Sequence, residues 1–363
     1  MTFAIKRLLP RTFHCRHLWA DMLPKRYLGL MGLSFALNAH QSTAFSTPIT
    51  SIPQTAAFVT KSGIPVCSYA LGGAAGSVQP ASLISEYAEL VTTSSGPSVA
   101  PFLFYYNPHR YPEFMSGVTS LCEGGGTRSS AMRREDLFIA SGGTDRTQSG
   151  MERRLVDALA RCGGSYLNMF VLEYVLPEEI SEMGSGDGDA VGPDLARAVE
   201  IARSWVDAGR VRHVCASTHS HAVGAALASV PEIDALMLRY GLSHRSAAEG
   251  VSLPAAADAG KPVLAFTTTR WNALQGGHRG WGDAPPATAD CLSFALSAFD
   301  GVEVVLHSAR DGAELREAMA GIRTDMSEVE LERWRAYGDL EWNMKDGFDE
   351  YPEEGLSGMN PDR

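Results

Sequence analysis

The chain alternates short apolar segments with helical segments eight times, and this alternation limits its possible folds more than any other feature. Each apolar segment has the length of a strand, and each following segment spaces its apolar residues as an amphipathic helix does. Alternation of this kind predicts a parallel sheet, and eight repeats over about 260 residues favour a closed (β/α)8 barrel. The predicted strands are 66–71, 102–106, 136–141, 166–172, 210–217, 233–238, 261–267 and 302–306.

The segments between these strands predict the helices of the barrel. Glycines at 163, 209, 260 and 321 follow predicted helices, as is typical of helix ends. A doubly wound open sheet is the alternative, but the first turn, Gly72–Gly76, lacks the GxGxxG phosphate fingerprint of such folds. The predicted helices are 81–91, 112–121, 150–161, 194–208, 222–229, 245–259, 287–298 and 312–321.

The first 50 residues differ from the rest and predict a targeting segment. Residues 1–45 are basic with one acid, Asp21, and the apolar run 28–37 is shorter than the roughly 20 residues of a membrane span. Ala44-Phe45 resembles the signal-peptide junction of algal plastid precursors, so we expect a plastid location. A mitochondrial presequence is the alternative. We therefore divide the chain into a targeting segment 1–50, a barrel 59–322, and a segment 323–363 with one helix and an acidic tail.

The charge and the cysteines restrict the partners. A net charge of −11 disfavours nucleic acid and anionic membrane surfaces as partners, so we expect no nucleic-acid partner and no membrane association in the mature form. The six cysteines form no CxxC pair, which favours reduced thiols packed in the core.

The functional site of such a barrel lies where the strands end and the loops toward the helices begin. Polar residues are frequent at these predicted ends, and they give the candidates Asn107, His109, Arg110, Tyr111, Ser141, Glu173, Ser217, Thr218, His219, His221, Arg239, Ser308 and Arg310.

Four segments resemble the aldo-keto reductases, barrel enzymes that reduce carbonyls with NADP(H). Residues 134–141, REDLFIAS, resemble the third strand of the family, and 209–217, GRVRHVCAS, resemble the fifth. Residues 262–267 resemble the seventh strand, and 307–310 resemble the phosphate-binding turn after the eighth. The resemblance extends in consistent order over about residues 60–338.

The catalytic tetrad of this family, Asp, Tyr, Lys and His, is matched poorly. Tyr105 or Tyr106 takes the Asp position, and Tyr111 matches the catalytic Tyr if one residue is inserted after His109. Gly142 takes the Lys position, and Glu173 takes the His position.

The resemblance then implies altered proton chemistry. A phenol without a neighbouring cation keeps a pKa of about 10 and donates a proton poorly at neutral pH. Our candidate catalytic residues are Tyr111, Glu173 and His109, with His109 or Arg110 replacing the missing lysine. Glu173 either donates a hydrogen bond to an enone, as in some family members, or pairs with Arg110 or Arg239.

The cofactor positions are matched better. The resemblance implies that Ser217 and Thr218 hold the nicotinamide carboxamide and that Phe266 stacks on the nicotinamide ring. Ser308 and Arg310 are expected to bind the 2′-phosphate of NADP, as a guanidinium can with two hydrogen bonds. Met237 replaces the usual glutamine.

Two further features have alternative interpretations. His219 and His221 are spaced as ligands of a metallohydrolase, but such a pair usually lies on the first strand and here it follows the fifth. We therefore predict no metal and assign both histidines to the start and N-cap region of the fifth helix. The polar loop 267–272 is long enough for a lid over a ligand, although Trp271 is equally interpreted as a packed residue.

The sequence therefore predicts an NADP-dependent oxidoreductase that acts on a small carbonyl or enone. The alternative is a degenerate barrel that binds a dinucleotide or a protein partner without turnover.

Overall fold

Eight parallel strands close into a barrel in the computed structural model, which describes residues 52–73, 79–95, 98–106, 111–123, 132–164, 166–180, 191–243 and 245–342. Tyr69 pairs with Val305 and Leu71 pairs with His307, so the first and last barrel strands are neighbours. This closure confirms the (β/α)8 barrel and excludes the open sheet. The strands are β2 (Pro65–Gly72), β3 (Ala100–Tyr105), β4 (Phe138–Gly143), β5 (Leu167–Leu172), β6 (Val211–Thr218), β7 (Ala235–Arg239), β8 (Val263–Phe266) and β9 (Val302–His307).

Helices follow the strands and surround the barrel. The predicted helix 245–259 is divided, because a π-helical turn, Ala248–Ser252, separates two α-helical pieces. The helices are α1 (Ser82–Ser95), α2 (Pro112–Cys122), α3 (Gln148–Arg161), α4 (Pro193–Asp207), α5 (His221–Ala228), α6 (Arg245–Ala247), α7 (Leu253–Asp258), α8 (Thr288–Ser297), α9 (Gly312–Gly321) and α10 (Glu328–Trp342). Among the described residues, no helix is both long enough and apolar enough to cross a membrane.

A short strand that we did not predict, β1 (Gln54–Val59), precedes the barrel. It runs antiparallel to β2, with Gln54 opposite Cys67. Phe58 is buried, and its ring lies 5.6 Å from that of Phe138 in the barrel interior. The strand–helix alternation carries no information about β1, because this strand lies before the first unit.

Both faces of the barrel strands are buried. Because successive side chains point to opposite faces of a strand, only every second side chain points toward the cavity. On β3, Phe102 and Phe104 belong to the interior cluster of the barrel, whereas Leu103 and Tyr105 pack between the strands and the helices. A strand places successive side chains on opposite faces. The next inward position, directly after β3, therefore belongs to Tyr106.

The last described helix, α10, packs over the loop between β8 and α8. The hydroxyl of Tyr337 donates a hydrogen bond of 2.6 Å to the carbonyl oxygen of Leu274 in that loop. Gly338 of α10 lies so close to the backbone of Leu242 that a Cβ on Gly338 would be 1.9 Å from the carbonyl oxygen of Leu242. The predicted targeting segment 1–50, His109, Arg110 and the tail after residue 342 lie outside the described residues.

Candidate active site

A cavity of about 600 Å³ opens where the barrel strands end. Its volume lies within the range of small-molecule sites. The residues that line it come from loops and strand ends all around the barrel, and those used below are Tyr106, Glu173, Tyr174, Ser217, His219, Met237, Phe266, Trp271, Asn272, His307, Ser308 and Arg310.

Glu173, the first residue after β5, faces this cavity and is 8% exposed. Its backbone is held on both sides: its N–H donates to the carbonyl oxygen of Gly143 at 3.0 Å, and its carbonyl oxygen accepts from the guanidinium of Arg146 at 2.6 Å. Arg146 also forms an ion pair of 2.8 Å with Glu179. The loops after β4 and β5 are therefore tied together, which positions the Glu173 carboxyl.

Gly142, which the resemblance predicts to take the place of the family's lysine, has no room for a side chain. A Cβ at this position would lie 1.8 Å from the carbonyl oxygen of Val171 on the neighbouring strand. The contact arises because β4 and β5 pair directly here, with Gly142 opposite Val171. The backbone geometry at this position therefore accommodates glycine and excludes a residue with a side chain.

Of the two adjacent tyrosines, Tyr106 is the one that lines the cavity. Tyr105 is fully buried between β3 and the helices, and its hydroxyl oxygen lies 3.5 Å from the sulfur of Cys162. Burial raises the pKa of Tyr105 well above its usual value. Of the two tyrosines that the resemblance offers for the Asp position, only Tyr106 reaches the cavity, and the correspondence itself stays a prediction.

Tyr111 is 2% exposed and is not among the described residues that line the cavity. Its hydroxyl accepts a hydrogen bond of 3.2 Å from the N–H of Tyr106, and its ring packs edge-on against Phe114. A Cβ at Gly73 would lie 2.7 Å from this ring, so the ring also covers that glycine. This position supports the loop that carries Tyr106, and the catalytic role of Tyr111 stays a prediction.

The two predicted carboxamide ligands differ in orientation. Ser217 lines the cavity, and its hydroxyl oxygen accepts a hydrogen bond of 2.9 Å from the N–H of Tyr174. Thr218 is buried, and its hydroxyl donates to the carbonyl oxygen of Val175 at 2.8 Å and accepts from the N–H of Ser220. Thr218 thus joins two loops below the cavity, and its contact with a cofactor stays a prediction.

His219, one of the candidates at the strand ends, lines the cavity. Its imidazole lies between two aromatic rings, with centroid distances of 4.9 Å to Tyr174 and 5.0 Å to Phe266. His219 directly precedes Ser220, the N-cap of helix α5, and the helix begins at His221, whose Nδ1 lies 2.9 Å from the hydroxyl of Ser252. Its position directly after β6 is the feature that placed it among the candidates.

No group of three or more His, Cys, Asp and Glu side chains in the described part of the chain is arranged to hold a metal ion.

The loop after β8 carries an unusual backbone. Thr267, Arg270, Trp271 and Asn272 all have positive φ, between 48° and 65°. Each such residue with a Cβ costs roughly 1–2 kcal/mol relative to an ordinary conformation. Trp271 lines the cavity and is 64% exposed, whereas Arg270 is buried. The strained turn therefore holds a large aromatic ring at the mouth of the cavity.

The turn after β9 brings Ser308 and Arg310 to the rim. The hydroxyl of Ser308 donates to the carbonyl oxygen of Gly73 at 3.4 Å. Both the backbone N–H and the Nε of Arg310 donate to one carboxylate oxygen of Glu314, each at 3.0 Å. Asp311 caps α9 by accepting hydrogen bonds from the N–H groups of Ala313 and Glu314. The predicted phosphate ligand Arg310 is thus already paired with a carboxylate.

His307 lies at the end of β9 and is nearly enclosed. Its Nδ1 lies 2.9 Å from the hydroxyl of Tyr69. Burial lowers the pKa of His307 to about 4, against the opposing effect of the Glu314 carboxylate. The imidazole is therefore neutral at neutral pH.

Comparisons with known proteins give structural matches only. No protein family and no curated protein matches the sequence. An aldo-keto reductase from Bacillus halodurans in its holo form has 14% identity and a TM-score of 0.58 over 79% of this chain and 96% of its own. The fold is that of the aldo-keto reductases.

Two more solved structures of aldo-keto reductases match the fold of this chain. An aldo-keto reductase from Klebsiella pneumoniae, in complex with NADP and acetate, has 17% identity and a TM-score of 0.56 over 78% of this chain and 96% of its own. A thermostable aldo-keto reductase in complex with the inhibitor epalrestat has 17% identity and a TM-score of 0.55 over 78% of this chain and 99% of its own. The predicted resemblance is confirmed for the fold.

Proposed function

We propose that this chain binds a nicotinamide dinucleotide in the cavity and acts as an oxidoreductase on a small carbonyl or enone. One observation carries the proposal: Ser217, Phe266, Ser308 and Arg310, four of the five residues for which the resemblance implies cofactor contacts, line the same cavity although they come from β6, β8 and the turn after β9. The aldo-keto reductase fold, and a structural neighbour in complex with NADP, support it.

The described residues fit such a ligand. The hydroxyl of Ser217 and the ring of Phe266 offer a hydrogen-bonding group and an aromatic face in the same cavity. The dinucleotide, when bound, supplies the hydride. Phe266 already contacts the imidazole of His219, so a nicotinamide ring must use the remaining face of Phe266 or displace His219.

Reduction of a carbonyl also requires a proton or a hydrogen bond at its oxygen. We assign this task to Glu173 in its protonated form, because its carboxyl faces the cavity and its backbone is held by Gly143 and Arg146. Tyr106 and His219 line the same cavity and shape the space for the substrate.

The test is a titration of the full chain with NADPH and NADH, followed by nicotinamide fluorescence, and then turnover on a panel of small aldehydes, ketones and enones. Glu173→Gln is expected to keep dinucleotide binding and to lower turnover by roughly 10²-fold or more. Glu178→Gln, an exposed carboxylate on the following loop, is the matched control and should behave as the wild type. If neither dinucleotide binds, the proposal is wrong.

A second candidate is a barrel that binds a dinucleotide, or a protein partner, without turnover. The contact at Gly142 favours it, since a Cβ 1.8 Å from the Val171 oxygen leaves no space for the lysine on which the family's chemistry depends. Tight binding of a dinucleotide with no turnover across the whole panel would support this candidate over the first.

A further inference from the structure

The carboxylate of Glu314 occupies an anion-binding position at the rim of the cavity. One of its oxygens accepts two hydrogen bonds from Arg310, from the backbone N–H and from Nε, each at 3.0 Å. The other oxygen accepts from the side-chain amide of Asn272 at 3.4 Å and lies 3.8 Å from Nε2 of His307. The side chain of Glu314 is only 14% exposed, so it is largely enclosed by these groups.

The donors around Glu314 are the kind that bind phosphate. A backbone N–H beside a helix N-terminus, together with a guanidinium, forms short, charge-assisted hydrogen bonds to phosphate oxygens. Three of the surrounding residues, Arg310, Asn272 and His307, also line the cavity. A ligand phosphate that reached this part of the rim would meet the same donors.

The carboxylate of Glu314 is held at this position on the rim as an anion. Burial by itself raises the pKa of Glu314, but the hydrogen bonds from the backbone and guanidinium of Arg310 outweigh it and keep that pKa below its usual value. The carboxylate of Asp311 lies at the N-terminus of α9, where it accepts hydrogen bonds from the N–H groups of Ala313 and Glu314. The next cation on α9, Arg316, is paired with Glu86.

From this geometry we infer that Glu314 is a specificity-determining residue that makes the cavity select NAD(H) over NADP(H). The inference rests on the proposed function. A 2′-phosphate directed at Arg310 must displace the Glu314 carboxylate or lie beside it, and either event removes charge-assisted hydrogen bonds or brings like charges together. NAD(H) carries no 2′-phosphate, so it leaves the pair of Arg310 and Glu314 intact. Specificity then follows from the difference between the two affinities.

The experiment measures the dissociation constants of NADH and NADPH for the full chain. The wild type is expected to bind NADH more tightly, by about tenfold or more, the value of one or two hydrogen bonds to a charged group. Glu314→Gln keeps the shape and one acceptor oxygen but removes the charge, and it should reduce this ratio by about tenfold. Glu314→Ala should reduce it as well, so the result does not depend on the folding of one variant.

The matched control is Glu317→Gln, which removes one negative charge from an exposed position of the same helix and should leave the ratio unchanged. A wild type that binds NADPH as tightly as NADH, or more tightly, overturns the inference and leaves the proposed function intact. An NADH preference that persists in both Glu314 variants overturns it too, because another group must then set the preference. If neither dinucleotide binds to any variant, the proposed function fails and the inference falls with it.

Discussion

Gly142 shows how one backbone contact limits the chemistry of the cavity. We expect Gly142→Ala to lower the free energy of unfolding by at least about 3 kcal/mol, because its Cβ would lie 1.8 Å from the Val171 oxygen and the paired strands must separate. Urea denaturation measures the change. Gly250→Ala is the control, since nothing lies within 4 Å of a Cβ there, and it should be neutral or slightly stabilising. Equal stability of the two variants would contradict the strand contact.

We expect the free energy of unfolding to depend on pH because the imidazole of His307 is buried. Its folded-state pKa is about 4, below the usual 6.5, so the unfolded chain binds more protons between these values and stability falls as the pH decreases. From pH 7 to pH 5 we expect a loss of about 2 kcal/mol from this residue. Unfolding free energies of wild type and His307→Gln across this range measure it.

The variant should show a shallower dependence on pH than the wild type, because its side chain has no proton to gain. Parallel curves for wild type and His307→Gln would show that the imidazole titrates equally in both states.

The loop after β8 is strained, and the strain can be measured at Trp271. Trp271→Ala removes the ring but keeps a Cβ at φ 54°, whereas Trp271→Gly removes both the ring and the strain. We therefore expect the glycine variant to be more stable than the alanine variant by about 1 kcal/mol. Urea denaturation of the two variants isolates this backbone effect. A more stable alanine variant would mean that the loop does not keep this left-handed conformation in solution.

The ends of the barrel strands show which site residues the pattern of strands and helices predicts and which it leaves open. Apolar runs predicted all eight barrel strands, and their ends predicted that Glu173 and Ser217 would face one site, since the site of a barrel lies at those ends. The choice between Tyr105 and Tyr106 depended on which face of β3 turns inward. Packing against the neighbouring strands decides which face turns inward, because both faces of β3 are apolar.

At the scale of the whole molecule, we propose that residues 1–50 direct the barrel to a plastid. A fusion of these residues to a fluorescent protein should accumulate in the plastid of an alga whose plastid is bounded by secondary membranes. Phe45→Ala, at the junction where the transit peptide is expected to begin, should prevent that accumulation. Mitochondrial fluorescence of the unaltered fusion would contradict the proposal and support the alternative presequence.

The sequence by itself determined the architecture of this protein. Repeated apolar strands and amphipathic helices are local patterns, and eight of them in order are compatible with few folds besides the closed barrel that the structure shows. The rim of the barrel, and several of the residues that line its cavity, follow from the same pattern. β1 escaped prediction because it stands outside the alternation.

Only the tertiary structure decided how the rim residues meet. The contacts of the His219 ring with Tyr174 and Phe266, and the hydrogen bond from Asn272 to Glu314 across 42 residues, join loops that are distant in the chain. Such contacts depend on the distances between neighbouring strands and on backbone angles. Local periodicity encodes neither, so the sequence could indicate where a ligand binds but not that Glu314 already occupies its anion position.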